Sequence, residues 1–466
     1  MTTIENATVV SYAATRAERY AAGKALRAKT PRISHEEWAA ASDRPDPISL
    51  LEEESRTRVQ ELVPIRYGRM SISPFTFLRG SAGVMASDLA HTPVSGIKAQ
   101  ICGDAHLSNF GFFATPERNL VFDVNDFDET LPGPWEWDLK RLAASIVVAG
   151  RQNGYTAQEN RQAVIGCVEE YHTLMRQMAS MGALEVWYQH LDIGQILELA
   201  KRKGREELEK QVEKGKQRRT NLGTFPKLTE QVEGTYRIKD EPPLIVHVEE
   251  RGDVKQTQEH EAELIKSAFD AYVQTLPDDR KLLLGKYRFV DIARKVVGVG
   301  SVGTRAWVLL FLSGGDGDDP LFLQAKEAEA SVLEPYLGKS TYKNHGERVV
   351  QGQRLMQHAS DIFLGWTHGN VDQYVRQLRD MKLSEDIALL TKKQFGRYAM
   401  LCAFALARAH ARSADPAMIN GYLGNSDAFA QAIAVFAEIY ADQTERDHAA
   451  LLAAIKEGRI QAVVDV

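Results

Sequence analysis

Cys102-Gly103-Asp104-Ala105-His106-Leu107-Ser108-Asn109-Phe110-Gly111, followed after a short turn by Val121-Phe122-Asp123-Val124-Asn125-Asp126-Phe127-Asp128-Glu129, is the stretch on which the reading of the chain turns. Acidic groups and an amide gather there between apolar runs. An aspartate, an asparagine five residues on and a second aspartate closing an apolar run suit phosphoryl transfer: Asp104 receives the acceptor hydroxyl's proton, while Asn109 and Asp126 hold Mg2+ on nucleotide phosphates. Residues 97–101 and 120–124 predict short strands with the two motifs at their ends. Residues 115–119 join them as a turn, so the site is expected on a hairpin-like scaffold. Pro132-Gly133-Pro134 then breaks the chain, and a mostly buried helix is expected from Trp135, with Asp138 near its start placed to cap or brace the loop.

A second informative stretch is Val296-Val297-Gly298-Val299-Gly300-Ser301-Val302-Gly303-Thr304. Gly298, Gly300 and Gly303 make a G-x-G-x-x-G, shared by dinucleotide-binding folds and kinases, so the element after the glycines decides between them. A dinucleotide fingerprint runs from strand into helix, whereas a kinase glycine loop joins two antiparallel strands over the phosphates. Residues 306–312 are an apolar, strand-like run ending in a Gly/Asp-rich turn, which favours the kinase pattern; a purely structural glycine hairpin is the bland alternative. With Ser301 among them, the glycines are expected to cradle phosphates. The next apolar strand ends in Lys326, expected to grip the phosphates, with Glu347 as its orienting carboxylate and Glu327, Glu329 and Glu334 as competitors. Residues 372–380 predict a strand into a connector, where Gln377 and Leu378 would meet adenine through backbone groups.

Composition bounds this reading. A chain of 466 residues, 44% hydrophobic and 26% charged, can bury a large core in two or three units. The net charge of -6 argues against wholesale binding to nucleic acid. Three scattered cysteines make neither a disulfide framework nor a zinc cluster. No secretory leader or run of about 18 apolar residues is present, so a cytoplasmic protein without a membrane partner is expected. Arg66, Arg69 and Arg79 sit among apolar and small residues. Such arginines either grip phosphate or carboxylate, or pair with structural carboxylates and carbonyls, and both readings stay open. The basic runs 201–205 and 214–219 interleave with glutamates and predict a solvated helix.

The pattern Gly-Asp-x-x-x-x-Asn, then Asp126-Phe127, then Asp138-Leu139 after a Gly-Pro turn resembles the protein-kinase-like superfamily, most closely the aminoglycoside and choline phosphotransferase branch. Phe77-Leu78-Arg79-Gly80-Ser81-Ala82, read through Cys102–Gly111 to Asn125-Asp126-Phe127-Asp128-Glu129-Thr130, also resembles a bacterial family of unknown function, DUF2252, over most of the chain. The resemblance implies that Asp104 takes the base position, Asn109 and Asp126 the metal positions and Asp138 that of a structural aspartate. One departure is Cys102, where the phosphotransferases usually have histidine to brace the loop.

The implied fold is α+β, a two-lobed protein-kinase-like architecture in circularly permuted order, because the glycine loop and lysine follow the acidic loop instead of preceding it. The helix Ala403-Phe404-Ala405-Leu406-Ala407-Arg408-Ala409-His410-Ala411 resembles the one that leads into the phosphotransferase catalytic loop and would close the permuted circle; a competing assignment gives that slot to residues 81–89. Four regions are expected: a peripheral helical arm (1–60), a catalytic segment with a helical insert that sets acceptor specificity (61–282), a β-rich nucleotide-binding unit (283–383) and C-terminal helices (384–466), the last of them a helix pair from Asp427. The expected function is ATP- and Mg2+- (or Mn2+-) dependent phosphotransfer to an unidentified hydroxyl. Nucleotidyl (AMP) transfer on the same scaffold, similar to the selenoprotein O branch, is the first alternative, and a nucleotide-binding pseudokinase the second.

Overall fold

Proline ends one strand before it opens the long helix. In the computed structural model β1 (Lys98–Ile101) pairs antiparallel not with residues 120–124 but with β4 (Leu131–Pro134), while β2 (Phe110–Ala114) and β3 (Leu120–Val124) form the hairpin. The expected scaffold is therefore corrected: the turn at 115–119 joins β2 to β3, and the Pro-Gly-Pro run sits in a two-stranded ribbon, where a missing N–H is tolerated. The structure describes residues 14–199, 209–210, 213, 221–247, 266–296, 298–314, 319–378 and 382–464. The basic runs 201–205 and 214–219 lie outside these.

Behind the two ribbons pack the helices Trp135–Gln152, Ala157–Ser180, Lys392–Ser413 and Ala428–Lys456. Almost every side chain of the first is buried, because Leu139, Leu142, Ile146 and Val147 face the core while Asp138 and Arg141 are spent on buried polar partners. The last helix is one continuous element and not the expected pair: no glycine or proline interrupts 428–456, and Gly458 is the first residue beyond it able to take the left-handed turn, at φ 78°. Residues 16–54, expected as a peripheral arm, bury His35, Ile48 and Leu51 against the C-terminal helices and residues 67–70.

A small ribbon, β5 (Thr229–Val232) and β6 (Thr235–Ile238), precedes a six-stranded antiparallel sheet. The sheet comprises β7 (Ile245–Val246), β8 (Arg288–Lys295), β9 (Ala306–Ser313), β10 (Asp319–Glu327), β11 (Gly365–His368) and β12 (Asp372–Gln377), in the order β11-β12-β10-β9-β8-β7. The apolar run in β9 splits by the two-residue period of a strand: Val308, Leu310 and Leu312 pack with Phe225 and Phe322, while Leu309 and Phe311 pack with Tyr272 and Leu323. Both faces are covered, which is why the run lacks polar alternation. Each such side chain contributes roughly 1.5–3 kcal/mol by leaving water. The molecule is thus a mixed α+β fold, and no helix among the described residues is long and apolar enough to cross a membrane.

Candidate active site

Gly103 has to be glycine. Its φ is 79°, and a Cβ there would lie 2.7 Å from the carbonyl oxygen of Glu129, so the 102–109 loop and the 125–129 segment touch at this residue. Two amides of the loop are held from behind by one carboxylate: Cys102 N–H donates to Asp138 Oδ2 at 2.8 Å and Gly103 N–H to Oδ1 at 2.9 Å. His410 Nε2 lies 3.2 Å from the same carboxylate, and its Nδ1 2.9 Å from the Tyr171 hydroxyl. An imidazole from the helix Lys392–Ser413 thus braces the loop through Asp138, and Ser413 Oγ of the same helix accepts from Gln100 N–H in β1 at 2.8 Å. Asp138→Asn leaves one loop amide without an anionic acceptor. It should cost roughly 1–3 kcal/mol and lower the urea midpoint at unchanged m-value; an unmoved midpoint would remove Asp138 from this role.

Asp104 and Asn109 are tied by the loop itself. Asn109 Nδ2 donates to the Asp104 carbonyl at 2.7 Å, and Asn125 N–H donates to the Asn109 carbonyl at 2.8 Å, which draws β3 and Asp126 alongside. The Asp104 carboxylate is 20% exposed and accepts from Arg141 Nε at 2.7 Å. Burial pushes it up to about 6, with Arg141 opposing the rise and Asp126 adding to it. His106, whose Nε2 lies 3.5 Å from Asp104, is kept well below its usual range by burial and by the charges of Arg79 and Arg141. The Cys102 thiol is buried and pushed up, so it offers no thiolate.

Gly298, Gly300, Ser301 and Gly303 lie in the loop joining β8 to β9, and no helix comes after them. Arginines from the N-terminal part of the chain fasten this loop by its carbonyls: Arg69 Nη1 donates to Gly298 at 2.6 Å, and Arg58 Nη1 to Gly300 at 2.9 Å and to Val302 at 2.7 Å. Gly303 packs on Arg58 itself, since a Cβ there would lie 3.1 Å from the arginine's own Cβ.

Lys326, near the end of β10, is buried and reaches across to the acidic segment, bonding to Asp128 and, at 2.6 Å, to Ser301 Oγ. Asp128 also accepts from the Tyr374 hydroxyl at 2.8 Å. Burial opposes ionisation of both partners, but their attraction holds Asp128 below and Lys326 above the ordinary range. Asp126 fares differently: burial and then the charge of Asp128 raise it. Glu129 is pushed up to about 7 by burial, against the pull of Arg348.

Three expectations are corrected. Glu347 does not orient Lys326; it stands in the first turn of the helix His345–Met356, near Tyr342, and Asp128 takes that part. Glu327 is occupied by Arg305 at 2.8 Å. Gln377 and Leu378 do not present free amides, because Gln377 N–H is bonded to Asp361 and Leu378 N–H to the Phe322 carbonyl at 3.0 Å. A strand end that extends its ladder by one bond looks the same in sequence as one left open.

Asp104, Asn109, Asp126, Asp128, Glu129 and the loop 298–301 line one cavity of about 420 Å³. Among the described residues no three His, Cys, Asp or Glu side chains are grouped to hold a metal ion unaided. Asp126, raised by burial and by Asp128 against the pull of Lys326 and Arg376, nevertheless presents a carboxylate to the cavity, and Asn109, its amide nitrogen spent, keeps an oxygen to offer. Such oxygens fit Mg2+, which takes one or two carboxylates and completes its shell with phosphates and water. Asp128, Glu129, Arg58 and Arg141 escaped sequence reasoning. Only Asp128 had a signal there, as a second carboxylate two residues from Asp126.

An α+β chain in which a strand-loop-strand glycine turn and a braced acidic loop share one cavity is the class that these elements define. The family described as "Uncharacterized protein conserved in bacteria (DUF2252)" matches residues 58–454, and the chain belongs to it. No curated protein and no solved structure matches the chain.

Proposed function

We propose that the protein is an ATP- and Mg2+-dependent phosphotransferase of protein-kinase-like, circularly permuted organisation, acting on a hydroxyl acceptor. The observation that carries the reading is placement: Asp126 and Glu129, both raised first by burial, line the same cavity as the glycine loop 298–301, whose Ser301 is bonded to Lys326. A site with clustered carboxylates at one wall and a glycine turn at another suits a metal-bound polyphosphate. The β-rich sheet and the helical part, each with its own core clusters, support two lobes, and the docking of the His410 helix behind β1 supports the permuted order.

In the reaction, the acceptor oxygen bonds to the terminal phosphorus and the bond from that phosphorus to its bridging oxygen breaks. The electron pair leaves with ADP, and the acceptor proton passes to Asp104. Asp126 and Asn109 would hold Mg2+, which when bound would supply charge neutralisation on the phosphates. Arg141 keeps the Asp104 carboxylate oriented, and Ser301 and Lys326 stand ready at the glycine loop.

Purified protein incubated with ATP labelled separately at the alpha and gamma phosphates, with Mg2+ and a cell extract, tests the reading. Gamma label on an acceptor upholds it, alpha label replaces it with nucleotidyl transfer, and neither, with tight nucleotide binding, leaves a pseudokinase. In calorimetry, Asp126→Asn and Asn109→Ala should each weaken Mg2+-dependent ATP binding at least about 10-fold, the lower bound for disturbing a metal's surroundings. Asp126→Asn also removes repulsion with Asp128, so the nucleotide-free variant should unfold no earlier than the parent. Unchanged metal-dependent affinity in both variants would remove the metal assignment.

A further inference from the structure

Arg66, Arg69 and Arg79 look alike in sequence, and the structure separates them. Arg66 is paired with Glu54 at 2.9 Å and donates to the Gly80 carbonyl at 2.9 Å. Arg69 is on the Gly298 carbonyl. Arg79 lines the cavity with its Nε buried and without an acceptor, as is the Nε of Arg66, but it lacks the carboxylate and carbonyl partners that engage the terminal nitrogens of Arg66. The other arginines on that wall, Arg58 and Arg66, have acceptors within the chain.

Its position is fixed on two sides. The main chain of Arg79 underlies the glycine loop, since a Cβ on Gly300 would lie 3.0 Å from the Arg79 carbonyl oxygen. Its charge acts on Asp104 and His106. The guanidinium therefore belongs to the region between the loop expected to carry the donor phosphates and the carboxylate expected to take the acceptor's proton. The other cations at the loop are already engaged, Arg58 and Arg69 by its carbonyls and Lys326 by Asp128 and Ser301. A guanidinium presents a planar fork of donors that matches a tetrahedral oxyanion, and leaving its Nε buried and unfilled is costly.

We propose that Arg79 forms an oxyanion subsite, separate from Lys326, that holds the phosphoryl group in transit from nucleotide to acceptor. This rests on the phosphotransferase reading. As the acceptor oxygen bonds to phosphorus and the pair from the broken bond leaves with ADP, Arg79 neutralises the non-bridging oxygens and is itself unchanged.

The test uses the full chain, with Arg79→Gln and Arg79→Lys, and two probes: orthovanadate in the presence of MgADP, and inorganic phosphate alone. Arg79→Gln should leave MgADP affinity within twofold, and should lower both orthovanadate affinity and ATP turnover to water about 10²- to 10³-fold at unchanged KM, as loss of one such donor does. Arg79→Lys should recover part of both. Unchanged orthovanadate affinity in Arg79→Gln overturns the subsite, and so does a loss confined to acceptors that carry their own anionic group. If the parent binds no MgADP, the phosphotransferase reading falls, yet inorganic phosphate still decides the subsite. Binding that weakens at least tenfold in Arg79→Gln upholds it, and absent or equal binding overturns it.

Discussion

Asp104→Asn is expected to lower turnover about 10²- to 10⁴-fold while MgATP affinity changes little, because in the phosphotransfer proposed above the carboxylate removes a proton and does not hold the nucleotide. The substitution keeps the volume of the side chain and leaves Arg141 an amide oxygen, so the variant should fold. Burial raises the Asp104 carboxyl to about 6 despite Arg141. Since the ionised form is the base, kcat/KM of the parent should climb with pH through about 6 and level above it. That limb should vanish in the variant. On stability the sign is opposite: a folded-state value raised above the unfolded value of about 3.9 gives a contribution complete below that pH and lost as pH rises through about 6. A pH profile of kcat/KM for both proteins is the measurement. Near-parent turnover in Asp104→Asn, or a surviving limb, would mean that another group is the base.

Asp123→Ala is expected to destabilise the fold by about 3–5 kcal/mol, the largest stability loss foreseen for a single polar substitution here. Asp123 and Arg408 are each 1% exposed, and Arg408 Nη2 donates to both carboxylate oxygens at 2.6 Å and to the Met356 carbonyl at 2.7 Å. Removing the aspartate strands a guanidinium whose Nη1 already lacks an acceptor. The double variant Asp123→Leu/Arg408→Met should recover most of the loss, because the cost lies in the unpaired charge and not in the missing attraction. Urea unfolding of the three proteins checks this; a loss below about 1 kcal/mol for Asp123→Ala would mean that the arginine finds another counter-charge.

The range of the forces involved decides which features are legible in the chain. The spacing of Asp104, Asn109 and Asp126 is a local property, and the structure gathers these three around one cavity. The unbroken apolar run that buries β9 on both faces is likewise written in consecutive residues. Pairing is not: residues 98–101 could take 120–124 or 131–134 as partner, and local pattern assigns no energy to that choice. The counter-charge of Lys326 is hidden for the same reason. Asp128 lies 198 positions away, whereas Glu347 recommends itself in sequence because a neighbouring helix could deliver it. Arginines 58, 69 and 79 become distinguishable only when the carbonyls that two of them satisfy have places in space. The continuous last helix departs from the expected pair because an alanine-rich stretch gives no internal stop, and length alone does not supply one.

The brace behind the acidic loop also has a meaning in time. Asp138 and His410 are separated by 272 positions, so at ribosomal speeds of about 5–20 residues per second the aspartate waits roughly 15 to 50 s for its imidazole. Through that interval the emerging chain already carries Asp104, Asn109 and Asp126, yet the support that fixes their loop is unfinished. A nascent or prematurely terminated chain would therefore lack the braced loop, and on the phosphotransfer reading proposed above nucleotide turnover would begin only once synthesis had passed residue 410.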